Sequence, residues 1–317
     1  MGAKFKFLII VALLLLVGGS FILYGVELTN SYSIEKRSIR LLSMLVVGIS
    51  VACSSVIFQT ITANRILTPS IMGYEAVFIL FQTLIVFLYG DKAFKVISQQ
   101  ENFFYAILFM LGFSLLLYFL LFGKNRRSMY YLLLTGMVLG TLFMTLSQFL
   151  HVLIDPNEFS IVQNFMFVSF AKMNTKLLSV AGITMLVALI YTGWNARCLD
   201  VMALGRDQAI SLGVDYDKMV RRFLFVISLL VSVSTALVGP ITFLGILVTN
   251  LTYELFRTRK HRCMLVISSL VACLTLILGQ FLVEHVLQFS TTVSIIINFM
   301  GGVYFMYLLW ITRKRIS

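Results

Sequence analysis

The sequence predicts an all-α polytopic membrane protein, and three observations carry that prediction. Of the 317 residues, 60% are hydrophobic and only 12% are charged, and the mean hydropathy of +0.97 lies far above that of a soluble domain. The apolar residues gather in runs of about 20, the length a helix needs to cross a hydrocarbon core roughly 30 Å thick. Lys and Arg, whose excess leaves a formal net charge of +12, concentrate between alternate runs. In a soluble chain such a charge would suit nucleic acid; here the positive-inside rule accounts for it, and no nucleic-acid partner is expected.

Ten spans follow, at about 5–24, 40–62, 71–90, 103–122, 129–150, 177–196, 221–238, 241–256, 263–283 and 292–311. They form a single transmembrane domain over residues 1–317. The first run follows Lys4 and Lys6 as a signal peptide would, but it is too long for an h-region and lacks a cleavage site, so it reads as a retained span. Residue 6 is Lys, which removes the myristoylation pattern. An even number of spans puts both termini on one side. That side collects 18 of the 25 Lys and Arg residues, among them Arg65, Arg206, Arg262 and Arg313 to Arg315. The expected topology is N-in and C-in. The cysteines at 53, 198, 263 and 273 have no framework spacing, so neither a disulfide nor a Cys-based metal site is expected.

Between spans six and seven the polar segment from Asp200 to Arg222, DVMALGRDQAISLGVDYDKMVRR, is too patterned for a plain turn. Leu204 and Gly205, then Leu212 and Gly213, bracket a short helical pattern holding Arg206, Asp207 and Ala209. The core of this segment is placed at about 200–220. In the fifth span Gly136, Gly140 and Ser147 suit close packing, while Thr141, Thr145 and Gln148 form a strip at i, i+4 and i+7. The strip suits a hydrated lumen; threonines bonded to their own backbone would explain it equally. Arg37 and Arg40 open the second span on one helical face. They suit either bidentate capture of a carboxylate or snorkelling to the interface. The stretch from Asp155 to Lys176 is too polar to span, and Lys172 and Lys176 within it would meet an acidic partner or lipid phosphate.

These segments together resemble the FecCD family of permease subunits. The run LGRDQAISLGV resembles that family's cytoplasmic coupling segment, with Asp207, Ala209 and Gly213 at the spacing of the general importer motif and Gln208 in place of an alanine. The stretch from Arg37 to Gly73 matches at Arg37, Arg40, Gln59, Asn64, Pro69 and Gly73, but departs at Ile39, Ala63, Arg65 and Leu67. Gly239, Pro240, Phe243 and Gly245 match a further motif in which Thr249 and Asn250 occupy the family's Pro-His positions. Gly301, Gly302, Phe305 and Leu309 match the terminal helix, with Val303 replacing Pro. The matches run from Arg37 to Leu309.

The resemblance implies a cobalamin-permease-like type II ABC importer fold in a bacterial plasma membrane. It implies import of an iron-siderophore or related chelate by a dimer of permeases; the second chain is either identical or paralogous, and the eroded motifs favour a paralogue. Leu204, Gly205, Arg206, Asp207, Ala209, Leu212 and Gly213 would couple to ABC ATPase subunits. Arg37, Arg40, Lys172 and Lys176 would receive an extracytoplasmic binding protein. Asn64, Ile66, Thr141, Thr145 and Gln148 would line the pathway or its gate.

The absent chemistry fits this reading. No P-loop occurs, so the chain itself is not expected to be an enzyme or to bind a cofactor; ATP and Mg would sit on the partner ATPase. His151, His261 and His285 are scattered, which argues against a metal site, and His261 reads as one more polar residue of a basic loop. Glu75 and Glu254 fall near span ends, leaving no acidic relay for the alternative, an ion-coupled secondary transporter of a small organic solute.

Overall fold

The computed structural model describes residues 3–24, 31–122, 129–170, 173–256, 258 and 260–316. Fourteen α-helices occur among them: α1 (Ala3–Leu23), α2 (Ser31–Ile61), α3 (Tyr74–Tyr89), α4 (Ala93–Val96), α5 (Gln99–Phe122), α6 (Met129–Leu153), α7 (Pro156–Met166), α8 (Thr175–Trp194), α9 (Ala196–Met202), α10 (Arg206–Ser211), α11 (Tyr216–Val238), α12 (Leu244–Phe256), α13 (His261–His285) and α14 (Val293–Ile316). Seven of them, α1, α2, α5, α6, α8, α11 and α13, are long and apolar enough to cross a membrane, while α3, α12 and the apolar part of α14 are shorter. Each of the ten lies on a run expected to span. The chain is a multi-pass, all-helical membrane protein.

The bundle is built around α2. One apolar cluster joins α2 to α3, α5, α6, α8 and α11, and a second joins it to α1, α12, α13 and α14. Small residues make this central position tenable: Gly48, Ser50, Ala52, Cys53, Ser54 and Ser55 of α2 are all buried, so neighbouring backbones come close. By contrast α1 is apolar all round and largely exposed, as suits a helix on the lipid side.

Two short helices start inside the bundle after irregular chain. The 3₁₀ turn Pro69–Met72 leads through Gly73 into α3, and Gly239 ends α11 shortly before α12. Gly73 has φ +93°, and a Cβ there would lie 2.8 Å from the Cα of Gly140, so only glycine lets this turn seat on α6. Irregular backbone among membrane helices needs polar company. The two irregular segments supply it to each other around a cavity of about 20 Å³, lined by Ser54, Ser55, Thr68, Ser70, Glu75, Ser234, Thr235 and Thr242. The Thr242 hydroxyl donates to Glu75 at 2.7 Å. The space is about what one water requires.

Candidate functional site

The helix ends sort into two groups. At one end the Lys6 ammonium donates to the Leu255 carbonyl at 2.9 Å, and the Tyr216 hydroxyl reaches the Ile61 carbonyl at 3.4 Å. Lys6, Arg65, Arg206, Lys218 and Arg262 gather at this basic end. At the other, Tyr24 packs edge-on against Phe281 and His285.

The segment expected to couple to an ATPase forms two short helices at the basic end, α9 and α10. Gly205, at φ +103°, separates them, and Gly213, at φ +84°, closes α10. The closure is a Schellman motif: Val214 N–H donates to the Ala209 carbonyl at 3.0 Å and Gly213 N–H to that of Ile210 at 2.9 Å. No atom would crowd a Cβ at either glycine, so backbone conformation alone fixes the choice of residue. Ala209 is fully buried, whereas Leu204, Ile210 and Leu212 are exposed beside the exposed Arg206 and Asp207. Arg206 forms a 3.4 Å ion pair with Asp217 of α11. The segment thus has a fixed shape and an apolar outer face with a charged rim, which suits docking to a protein.

Asn64 and Ile66 lie just beyond α2. Ala63 adopts φ +50°, Asn64 N–H bonds back to the Gln59 carbonyl at 3.1 Å, and the Asn64 side chain accepts from Ile66 N–H at 2.9 Å. The next residue is tied down on both faces. Arg65 stacks its guanidinium 4.5 Å from the Tyr253 ring, and its carbonyl accepts from Asn250 at 3.1 Å. Gln59 donates to Thr249 at 2.8 Å. The pair at the family's Pro-His positions therefore holds the turn after α2.

On α6, Thr141 and Thr145 donate to the carbonyls of Met137 and Thr141, each at 2.9 Å. With Leu134, Met137, Val138, Leu142, Leu146 and Phe149 they line a wide open groove; Gln148 is also exposed. Gly136 and Gly140 face the other way, onto Met72 and Gly73.

The two arginines near the start of α2 are already engaged. Arg37 donates to the carbonyls of Phe21 and Tyr24, at 3.1 and 2.6 Å, and so ties down the end of α1. Arg40 pairs with Glu284 of α13 at 3.4 Å. Lys176 is exposed in the first turn of α8, and its N–H donates to the capping Asn174 side chain at 3.0 Å; Lys172 lies outside the described residues.

Two readings of the loops change. His261 is not a loop residue: it opens α13 and is 5% exposed, bonded to Asp200 and Thr60. Its position on one face with Met264, Leu265 and Ser268, all buried, is a helical spacing that the sequence displays. Glu75 faces the polar cavity inside the bundle rather than the span's solvent end.

The model of the FecCD transport family matches residues 7–311. The chain belongs to that family. It is 46% identical over 307 residues to the petrobactin import system permease protein YclO of Bacillus subtilis (strain 168), covering 96% of this chain and 97% of that protein. With the petrobactin import system permease protein FatC of Bacillus anthracis it shares 31% identity over 282 residues, 89% of this chain and 79% of that one. A solved inward-facing metal-chelate type ABC transporter superposes with a TM-score of 0.85 over 98% of this chain and 99% of that one, at 23% identity. The likeness shows that the chain shares the fold of that transporter. Among the described residues of this FecCD chain, the groove on α6 stands open and Leu204, Ile210 and Leu212 beside α10 are exposed.

Proposed function

We propose that this chain is a permease subunit of an ABC importer that carries a ferric siderophore, petrobactin in the first instance, across a bacterial plasma membrane. The observation that carries the reading is the 46% identity to YclO over nearly the whole of both chains. All ten apolar helices cross the membrane, with both termini in the cytoplasm. A second permease covers the α6 groove, and Thr141, Thr145 and Gln148 border the pathway between the two. That partner is a paralogue: this chain resembles both FatC and FatD, two permeases of the petrobactin import system of Bacillus anthracis. The exposed Leu204, Ile210 and Leu212, with Arg206 and Asp207, dock on an ATPase subunit that holds ATP and Mg. Arg37, Arg40, Lys172 and Lys176 face the siderophore-binding protein, and Asn64 and Ile66 belong to the cytoplasmic gate.

The mechanism needs no reactive group on this chain. ATP binding draws the ATPase subunits together, the coupling segment moves with them as a rigid piece, and the helices packed on it switch between discrete arrangements. Substrate choice rests chiefly with the binding protein, so a pathway lined by threonines and apolar side chains is sufficient for passage. The test is affinity purification of the tagged chain from native membranes followed by mass spectrometry. The expected companions are a P-loop ATPase and a second, non-identical FecCD chain. A chain that purifies alone and transports without ATP would overturn the reading in favour of an ion-coupled carrier.

A further inference from the structure

His261 joins three elements. Its backbone N–H donates to the Asp200 carboxylate of α9 at 2.7 Å, and its ring Nδ1 meets the same oxygen at 2.7 Å. Its Nε2 lies 2.9 Å from the Thr60 hydroxyl of α2. That hydroxyl donates its proton to the Val56 carbonyl at 2.8 Å, so it turns a lone pair toward the ring. One imidazole at the start of α13 is thereby held by the coupling segment on one side and the end of the central helix on the other.

The way α13 is capped makes this more than a helix start. α7, α8 and α11 are capped by their own neighbours in sequence, Asp155, Asn174 and Asp215. At α13 the N-cap residue Lys260 contributes no side-chain bond, and the carboxylate comes from 61 residues away. A Ser or Asp at the N-cap would satisfy an N–H of the first turn locally, whereas here the first N–H is met from α9. A cap borrowed from α9 makes the start of α13 depend on where the coupling segment sits. Thr60, in turn, is the penultimate residue of α2. Beside it Gln59 ties α2 to Thr249 of α12, and four residues on, the chain enters the Asn64–Ile66 turn.

We propose that Asp200, His261 and Thr60 are positioning residues that transmit displacement of the coupling segment to α2 and α13, and through them to the turn after α2. The inference rests on the importer reading above and deepens it: it names the contact through which the ATPase-driven movement enters the bundle. Hydrogen bonds of 2.7 to 2.9 Å tolerate little stretching, so α9 cannot move far without carrying both partners along.

The test uses the assembled importer in proteoliposomes, with ATP hydrolysis and siderophore uptake measured on the same preparation. Thr60→Val removes the hydroxyl at nearly constant volume and leaves the Asp200 cap intact; Asp200→Ala removes the cap. In both, uptake per ATP hydrolysed is expected to fall roughly three- to thirtyfold while hydrolysis stays within about twofold. Thr60→Ser and Asp200→Asn, which keep an oxygen at each position, recover most of the uptake. A purely structural role would lower complex yield, melting temperature and both activities together, without splitting them. If Asp200→Ala does not assemble, Thr60→Val decides alone. Unchanged uptake per ATP in Thr60→Val overturns the proposal, whereas a native complex with no ATP-driven uptake overturns the importer reading instead.

Discussion

Helices α2 and α6 are both long and apolar, yet they occupy opposite situations. In its most apolar stretch α2 has 72% of its residues buried, against 22% for α6. Their polar side chains differ correspondingly. On α2, Gln59 and Thr60 reach across to Thr249 and His261; on α6, Thr141 and Thr145 bond only their own helix. Hydropathy therefore does not say which helix is the core. A polar group that bonds another helix fixes that helix in place, whereas one satisfied locally leaves its face free for a partner. In this account α2 conveys movement and α6 forms the seam with the second permease.

The sharpest way to break the comparison is to put the same charge on both helices. Ile57 of α2 is fully buried, so Ile57→Asp leaves a carboxylate without a partner at a cost of about 3–5 kcal/mol. Loss of the monodisperse detergent-solubilised protein is expected. Leu142 of α6 is exposed, and Leu142→Asp is expected to fold normally but to weaken pairing with the second permease by about 2–3 kcal/mol, read by co-purification of two differently tagged chains. Pairing that survives Leu142→Asp would remove α6 from the seam.

In the proposed coupling, displacement of the segment from α9 to α10 reaches α2. Gly213 has open space around it, so any defect on substitution comes from its φ of +84°. Gly213→Val costs about 1–3 kcal/mol of backbone strain and is expected to uncouple ATP hydrolysis from uptake. Gly213→Asn, which tolerates the left-handed region, is expected to remain coupled. Equal uptake in both variants would mean that the Schellman closure has no bearing on coupling.

At the outer end of α2, Arg37→Glu with Arg40→Glu is expected to weaken binding-protein association about tenfold at low ionic strength, with the difference shrinking as salt is added. Equal affinities would leave the two arginines as internal ties to α1 and Glu284 alone. The smallest effect lies at the inner end. Ala63 holds φ +50°, and Ala63→Gly relieves up to about 1 kcal/mol of left-handed strain, offset in part by the entropy glycine loses on folding. The melting temperature is expected to rise slightly with transport unchanged.

Much of this architecture was legible in the residues. The ten apolar runs fall on ten helices because length and hydropathy dominate helix placement in lipid. Boundaries move where local chemistry overrides hydropathy. α2 begins at Ser31 rather than near residue 40 because the polar run through Arg37 and Arg40 finds partners at the ends of α1 and α13. α3 begins at Tyr74 rather than residue 71 because Pro69 and Gly73 build a separate turn first. The two glycines of the coupling segment were readable as helix ends, since positive φ is a local property. The bonds of His261 to Asp200 and Thr60, and of Glu75 to Thr242, were not: their partners lie 61, 201 and 167 residues away. Sequence periodicity gives the buried face of His261 but not what it meets there.

The most direct test of the central claim is uptake of ⁵⁵Fe-petrobactin into proteoliposomes that hold this chain, its paralogous permease and the ATPase, with the binding protein outside and nucleotide within. The account predicts accumulation that requires hydrolysable ATP and the binding protein and is indifferent to ion gradients. Accumulation driven by a proton or sodium gradient in the absence of ATP would contradict it.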